Sequence, residues 1–147
     1  MMHERSIKLT IDSKIDDIEL LSKSVRAICN TVINEEILLY NLELCLVEAV
    51  SNVINHGYHR KSGNAIEVIV TVDDRHVTFN ILDSGDKLTE LAPKKELMHS
   101  VKDLSSLPES GMGLFLINKI MDEISYCEQQ NKNSMIMTKY FDVQVSI

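Results

Sequence analysis

The chain has 147 residues, of which 44% are hydrophobic and 25% charged, and its net charge is −7 at pH 7. This length is typical of one domain, so residues 1–147 are expected to form a single globular unit. Nucleic acid is not expected as a partner, because an acidic chain neutralises phosphates poorly. A membrane is not expected either, because no apolar run approaches ~18–20 residues. A cytoplasmic location is expected, since the polar N-terminus lacks a signal-peptide pattern.

The predicted elements are helices and hairpin-linked strands with one long connection. Apolar periodicity places them, in chain order, at about 5–11 (strand), 14–32 (helix), 35–56 (helix), 65–72 (strand), 76–83 (strand), 113–123 (helix), 124–130 (strand) and 134–145 (strand). This β-α-α-β-β-loop-α-β-β order predicts an α+β two-layer sandwich, because the helices are long enough to cover one face of the sheet.

Cap and turn residues delimit these elements. Asp12 or Ser13 is expected to cap the first helix, and Asn34 is expected to cap the second. Gly57 is expected to close the second helix at its C-terminus. A turn at 131–133 is expected to join the last two strands.

The longest connection covers residues 84–108. Its periodicity is weak, apart from a short helix expected at about 94–104. A connection of this length is uncommon in a compact domain and is usually functional.

The second predicted helix is apolar nearly all round, which is typical of a buried helix. Glu48, Asn52 and His56 nevertheless recur every four residues and form one polar stripe. A buried carboxylate and amide are costly unless something satisfies them, and a bound ion or ligand would do so. The alternative is an exposed polar edge on an otherwise packed helix.

A second motif, Asp83-Ser84-Gly85, comes directly after a predicted strand. An ionised Asp only accepts hydrogen bonds, so it suits an exocyclic amine. The glycine would let the backbone approach a ligand closely. A plain Asp-Ser-Gly turn is the alternative.

A third motif, Ser110-Gly111-Met112-Gly113-Leu114, stands just before the third predicted helix. Glycines there would expose backbone N–H groups at a helix N-terminus, where the dipole favours phosphates. No Gly-Lys-Ser/Thr follows and no strand leads directly into the motif, so it is neither a P-loop nor a dinucleotide fingerprint. An ordinary loop-to-helix turn is the alternative.

In this order the motifs resemble those of the Bergerat-fold (GHKL) ATPases and kinases. Residues 48–57 resemble the N-box, 83–85 the first glycine box, and 110–114 the second. The chain is more similar still to the anti-sigma-factor serine kinases, which share the Glu-Ala-x-x-Asn-x-x-x-His-Gly-Tyr run. The resemblance implies a mixed, mostly antiparallel sheet with helices on one face, and an ATP lid at about 84–110.

The resemblance also implies a role for each matched residue. Glu48 would be the general base, and Asn52 would bind Mg²⁺, which takes most other ligands from phosphates and water. His56 would lie near the phosphates. Asp83 would accept a hydrogen bond from the adenine amino group, and Gly85 would leave room for the base.

The second glycine box would wrap the phosphates from the lid side, through Ser110, Gly111, Met112, Gly113 and Leu114. Ser134 would take the place of the family's adenine-side Thr. Two sites depart from the family pattern. Lys87 replaces the last glycine of the first box, which bears on lid mobility, and Lys132-Asn133 replaces an expected Gly-Thr, which predicts weaker adenine binding.

The activity implied is that of a Mg-ATP-dependent serine/threonine protein kinase and anti-sigma-type regulator. It would phosphorylate a STAS-domain antagonist and sequester a sigma factor or similar target, as a homodimer. The alternative is a non-enzymatic module that only sequesters its partner, with or without nucleotide; it ranks second because Glu48 and Asn52 are intact. A sensor-type histidine kinase ranks lower, since only His3 precedes the first strand.

Overall fold

The computed structural model describes residues 3–88 and 109–142, and the side chains of 3–88 and 113–142. The elements in chain order are β1 (Arg5–Asp12), a 3-10 turn (Ile15–Asp17), α1 (Ile18–Cys29), α2 (Glu36–Asn52), a π-helical segment (Val53–Gly57), β2 (Ala65–Val72), β3 (His76–Asp83), α3 (Glu109–Ile120), β4 (Glu123–Gln129) and β5 (Lys132–Tyr140). The helix predicted at 94–104 lies outside the described residues.

The five strands form one sheet in the order β1-β2-β3-β5-β4. All four pairings are antiparallel, so the expected α+β class is confirmed, but within the described strands the sheet is not mixed. The central strands alternate between buried and half-buried residues, and the buried set includes Val68, Val70, Phe79 and Ile81. This period of two directs one face of the sheet toward the helices.

Helix α2 supplies much of the core. Leu39, Leu42, Leu46 and Val50 are at most 2% exposed, and α2 packs against both α1 and α3. With the π-helical segment it extends over 22 residues, Glu36–Gly57, and is long and apolar enough to cross a membrane, contrary to the sequence expectation. Core helices pass the same test, and half of its most apolar stretch is buried here.

The predicted N-terminal caps of the first two helices are wrong, whereas the helical segment that continues α2 ends at Gly57, the residue expected to close it. No side-chain cap bond is present at the start of α1 or α2, whose N-cap residues are Asp17 and Glu35. Asp12 instead accepts hydrogen bonds from the N–H groups of Ser13 and Gly63, both at 2.7 Å. Its carboxylate therefore ties the end of β1 to the loop before β2.

The final hairpin differs from its prediction. The structure joins β4 to β5 by a two-residue turn, Gln130 and Asn131, whose φ angles of 49° and 65° are both left-handed. Such a turn matches the twist of the paired strands. Lys132 and Asn133 therefore lie in β5 and not in a turn at 131–133, which fixes the direction in which Asn133 points.

Candidate functional site

Two of the three stripe residues lie on α2 itself. Glu48 is half-buried and Asn52 is only 8% exposed. The amide of Asn52 makes no hydrogen bond to any part of the chain that the structure describes. Since no fully buried polar side-chain atom there lacks a partner, this amide still reaches the surface. A water, ion or ligand can therefore complete its bonding.

The third stripe residue, His56, lies in the π-helical segment and is exposed. The N–H of Tyr58 donates to the carbonyl of Val53, five residues earlier, at 2.9 Å. This wider turn changes the angular spacing that Glu48 and Asn52 follow, so the stripe does not continue regularly to His56. Single π-turns inside helices occur frequently at functional sites.

Gly113, in the second turn of α3, lies directly against Glu48. A Cβ atom built on Gly113 would stand 2.5 Å from Oε2 of Glu48. No real side chain tolerates that distance, so a glycine here leaves room for the Glu48 carboxylate. The structure thus brings the N-box carboxylate and the second glycine box together.

Helix α3 begins at Glu109, four residues before the predicted start. The segment Ser110–Met112 therefore lies in its first turn and not in a loop before it. The side chains of these residues are outside the described set. Leu114, by contrast, is 4% exposed and belongs to the core cluster, so its side chain is not available to a ligand.

Asp83 ends β3 and is 4% exposed. Its Oδ1 accepts two hydrogen bonds, from the N–H of Gly85 at 2.9 Å and from Nδ2 of Asn133 at 3.0 Å. Among the described residues none donates to Oδ2. Burial raises the pKa of the Asp83 carboxyl, and the two hydrogen bonds oppose that rise.

The turn formed by Asp83, Ser84 and Gly85, called here the Asp83 turn, is held from the helix side. The N–H of Ser84 donates to the hydroxyl of Tyr58 at 2.7 Å. A Cβ on Gly85 would stand 2.7 Å from the carbonyl carbon and oxygen of Gly57. The end of the π-helical segment and the end of β3 are therefore in backbone contact.

Ser134 lies away from this turn. In the β3–β5 register Ser134 pairs with Leu82, whereas Asn133 pairs with Asp83. The hydroxyl of Ser134 donates to Oδ1 of Asn80 at 2.7 Å, on the opposite face of the sheet. Asn133, which sequence reasoning treated only as a departure, is the β5 residue that contacts Asp83.

Lys87, the other departure, leaves the site. It is exposed and pairs with Glu128 on β4. The next residue, Leu88, donates its N–H to the hydroxyl of Tyr126 at 2.9 Å. The segment that follows the Asp83 turn is therefore joined to the edge strand.

The arrangement combines a carboxylate and an amide on α2 with a buried carboxylate at the end of β3. Glycines adjoin both groups, because Gly113 contacts Glu48 and Gly57 approaches Asp83. A carboxylate can accept a proton or a donor hydrogen, and an amide oxygen can bind a hard cation. This set of groups suits a ligand that has a hydrogen-bond donor at one end and a cation-bound anion at the other.

Comparison with known proteins gives relatives with informative names. The chain is 27% identical to the anti-sigma F factor of Clostridium acetobutylicum over 99 residues, 67% of each protein. It is 29% identical to the serine-protein kinase RsbW of Oceanobacillus iheyensis over 102 residues, 68% of this chain and 64% of the relative. It is 25% identical to the serine-protein kinase RsbW of Bacillus cereus (strain Q1) over 136 residues, 91% of this chain and 84% of the relative.

These names confirm the resemblance to the anti-sigma serine-kinase branch that the motifs indicated. The family model described as the histidine kinase-like ATPase domain matches residues 11–139, which is most of the chain. That match includes the α2 stripe, the Asp83 turn, the second glycine box and all of β5 except Tyr140. The chain therefore belongs to the histidine kinase-like ATPase domain family.

Proposed function

We propose that this protein is a Mg-ATP-dependent serine/threonine protein kinase and an anti-sigma-type regulator. One observation carries the nucleotide assignment: Asp83 is buried, both donors that it receives go to Oδ1, and no described residue donates to Oδ2. Since no fully buried polar side-chain atom among the described residues lacks a partner, Oδ2 still reaches the surface and can accept a hydrogen bond from a ligand. The amino group of adenine would supply the missing hydrogen bond.

The α2 residues suit the phosphate end of the same ligand. Asn52 is buried, its amide makes no hydrogen bond to a described residue, and an amide oxygen is a hard ligand of the kind that Mg²⁺ binds. Asn52 would hold the ion, which when bound neutralises the phosphate oxygens. The backbone at the start of α3 would face the phosphates, where helix N–H groups favour anions.

Glu48 is the candidate base for phosphoryl transfer. In that role its carboxylate would accept the proton of a substrate serine or threonine hydroxyl. The hydroxyl oxygen would then bond to the γ-phosphorus as the bond to the β-phosphate oxygen breaks and ADP leaves. Gly113 would leave room for this carboxylate, because a side chain at that position would push Oε2 of Glu48 aside.

The names of the relatives support the choice of partners. One relative is called an anti-sigma factor and others are called serine-protein kinases. We propose a STAS-type antagonist as the phosphorylated protein and a sigma factor or similar target as the sequestered one. A cytoplasmic homodimer completes the proposal. The family model and these names support a kinase-type regulator, and the exact partners are our inference.

The first test is calorimetric titration of Mg-ATP into the wild type, Asp83→Asn and Asp86→Asn. Asp83→Asn should abolish binding, because an amide N–H₂ would face the amino group of the base. Asp86→Asn is the matched control, since it also removes one carboxylate but from an exposed side chain that pairs with His59. Equal affinity in the wild type and Asp83→Asn would contradict the proposed base site.

The second test separates catalysis from binding. Glu48→Gln should bind Mg-ATP with wild-type affinity but transfer phosphate to a STAS-domain protein of the same organism about 10²–10⁴-fold more slowly, because it cannot accept the proton. Glu43→Gln is the control on the same helix, where Glu43 pairs with Arg26 at 3.1 Å. If the wild type binds Mg-ATP but phosphorylates no STAS-domain protein of the same organism, the kinase proposal is wrong and the non-enzymatic binding module becomes the better interpretation.

A further inference from the structure

Asn133 bridges the Asp83 turn from the neighbouring strand. It pairs with Asp83 across β3 and β5 and is 5% exposed. Its Nδ2 donates to Oδ1 of Asp83 at 3.0 Å and to the carbonyl oxygen of Gly85 at 2.9 Å. One side-chain nitrogen therefore holds both ends of the turn.

This bridge depends on the chemistry of the amide. A primary amide nitrogen carries two hydrogens, whereas a serine or threonine hydroxyl carries one. Only the amide can donate to the carboxylate and to the carbonyl at the same time. With the N–H of Gly85 also on Oδ1, that oxygen has two donors and the carboxylate cannot rotate without losing both.

Building on the proposed function, we propose that Asn133 is a positioning residue that determines base specificity. By fixing Oδ1 of Asp83 and the carbonyl of Gly85, it presents Oδ2 as an acceptor to the base. A purine with an amine at its 6-position can donate to that oxygen. A purine with a carbonyl there presents a second acceptor and is rejected.

The rejection requires that Asp83 stay both fixed and ionised. A freely rotating carboxylate could turn away from a carbonyl oxygen, and a protonated one could donate to it. The hydrogen bond from Asn133 opposes both changes, since it holds the rotamer and lowers the pKa that burial raises. Removing Asn133 should therefore relax the choice of base more than it weakens binding in general.

The test uses ADP and inosine diphosphate, which differ in the amine or carbonyl at the purine 6-position and in the hydrogen that inosine carries on the adjacent N1. Their affinities, measured with Mg²⁺ by calorimetry, are compared in the wild type, Asn133→Ala and Asn133→Thr. The matched control is Ser134→Ala, the adjacent β5 residue, which is also fully buried but bonds Asn80 on the opposite face. Thermal melting of each variant checks that it is folded.

The wild type should prefer ADP by about a hundredfold or more. In Asn133→Ala the affinity for ADP should fall about tenfold, and that for inosine diphosphate should not fall, so the preference shrinks about tenfold. Asn133→Thr keeps one donor, so its preference for ADP should lie between those of the wild type and Asn133→Ala. If Asn133→Ala does not fold, Asn133→Thr provides the test. Ser134→Ala should keep the wild-type preference even if it lowers the melting temperature.

An unchanged preference in folded Asn133→Ala or Asn133→Thr would overturn the role of Asn133 while leaving the nucleotide site intact. If the preference for ADP fell as much in Ser134→Ala as in Asn133→Ala, the loss would reflect general damage to β5. That result would also overturn the role of Asn133. If the wild type binds neither nucleotide, the proposed function and this inference fail together.

Discussion

At the residue scale, Asp83 keeps a carboxylate where only 4% of the residue is exposed. Burial raises the pKa of this carboxyl above the ordinary Asp value despite the bonds from Asn133 and Gly85. A raised pKa in the folded state contributes stability below the unfolded pKa, and that stability is lost as the pH rises through the folded value. At neutral pH the ionised Asp83 therefore costs the nucleotide-free protein stability.

Asp83→Asn should consequently melt at a higher temperature than the wild type at pH 7.5 without nucleotide. The asparagine oxygen can still accept the two hydrogen bonds that reach Oδ1, and no buried charge remains. The gain should shrink as the pH falls below the raised pKa, because Asp83 is then protonated in the folded state and no buried charge remains in the wild type either. Melting curves by circular dichroism at pH 7.5, 6 and 4.5 give the difference between the two proteins. If Asp83→Asn were less stable than the wild type at pH 7.5, the cost of burying the Asp83 charge would not outweigh its hydrogen bonds, contrary to this prediction.

At the element scale, the π-helical segment after α2 meets the end of β3 through two glycines. Gly85 has no room for a side chain, because a Cβ would stand 2.7 Å from backbone atoms of Gly57. Gly57 has room, since its nearest neighbours would be 3.6 Å and 3.8 Å from a Cβ. The N–H of Asp86 also donates to the carbonyl of Gly57 at 2.9 Å, so these two segments are fixed to each other.

The two glycines should therefore respond differently to alanine. Gly85→Ala must push two backbones apart and should cost about 1–3 kcal/mol of unfolding free energy, the usual cost of forcing extra volume into packed structure. Gly57→Ala meets only ordinary contacts and should cost much less, which makes it the matched control. Urea denaturation of both variants measures the difference. Equal costs would mean that the Gly57–Gly85 contact is looser than the geometry indicates.

At the scale of the whole molecule, the helices cover one face of an antiparallel sheet, and the candidate site lies at the joint between the two layers. Residues far apart in the chain meet there, because α2, the end of β3, α3 and β5 all reach it. The opposite sheet face carries polar cross-strand pairs, such as Thr78 with Thr138 at 3.1 Å. The expected homodimer stays a prediction, since the described contacts are all within one chain.

Much of the fold could be predicted because it follows from local periodicity. The strand bounds 65–72 and 76–83 match β2 and β3, since alternation of apolar residues reports burial of one face directly. Helix ends were predicted less well. Asp12, a good cap by residue type, instead bonds Gly63, a partner 51 residues away that local propensity cannot indicate.

The candidate site, like the fold, could be predicted from the sequence only in part. Glu48, Asn52 and Asp83 could be found because a polar residue in an apolar helix, or at a strand end, stands out against its neighbours. The role of Asn133 could not, because it depends on the register of a hairpin whose turn the sequence placed too late. A shift of one residue in a strand reverses the face of every side chain, and so exchanges Asn133 for Ser134 beside Asp83.

The sequence by itself determined the class of fold, the family and the three motifs, because periodicity and residue chemistry are properties of short segments. Only the tertiary structure decided which groups touch: Gly113 with Glu48, Gly85 with Gly57, and Asn133 with Asp83. These contacts arise from strand register and layer packing, which join segments that are 28 to 65 residues apart in the chain. No local pattern encodes such distances, so the bonding of the buried carboxylate became visible only in the folded chain.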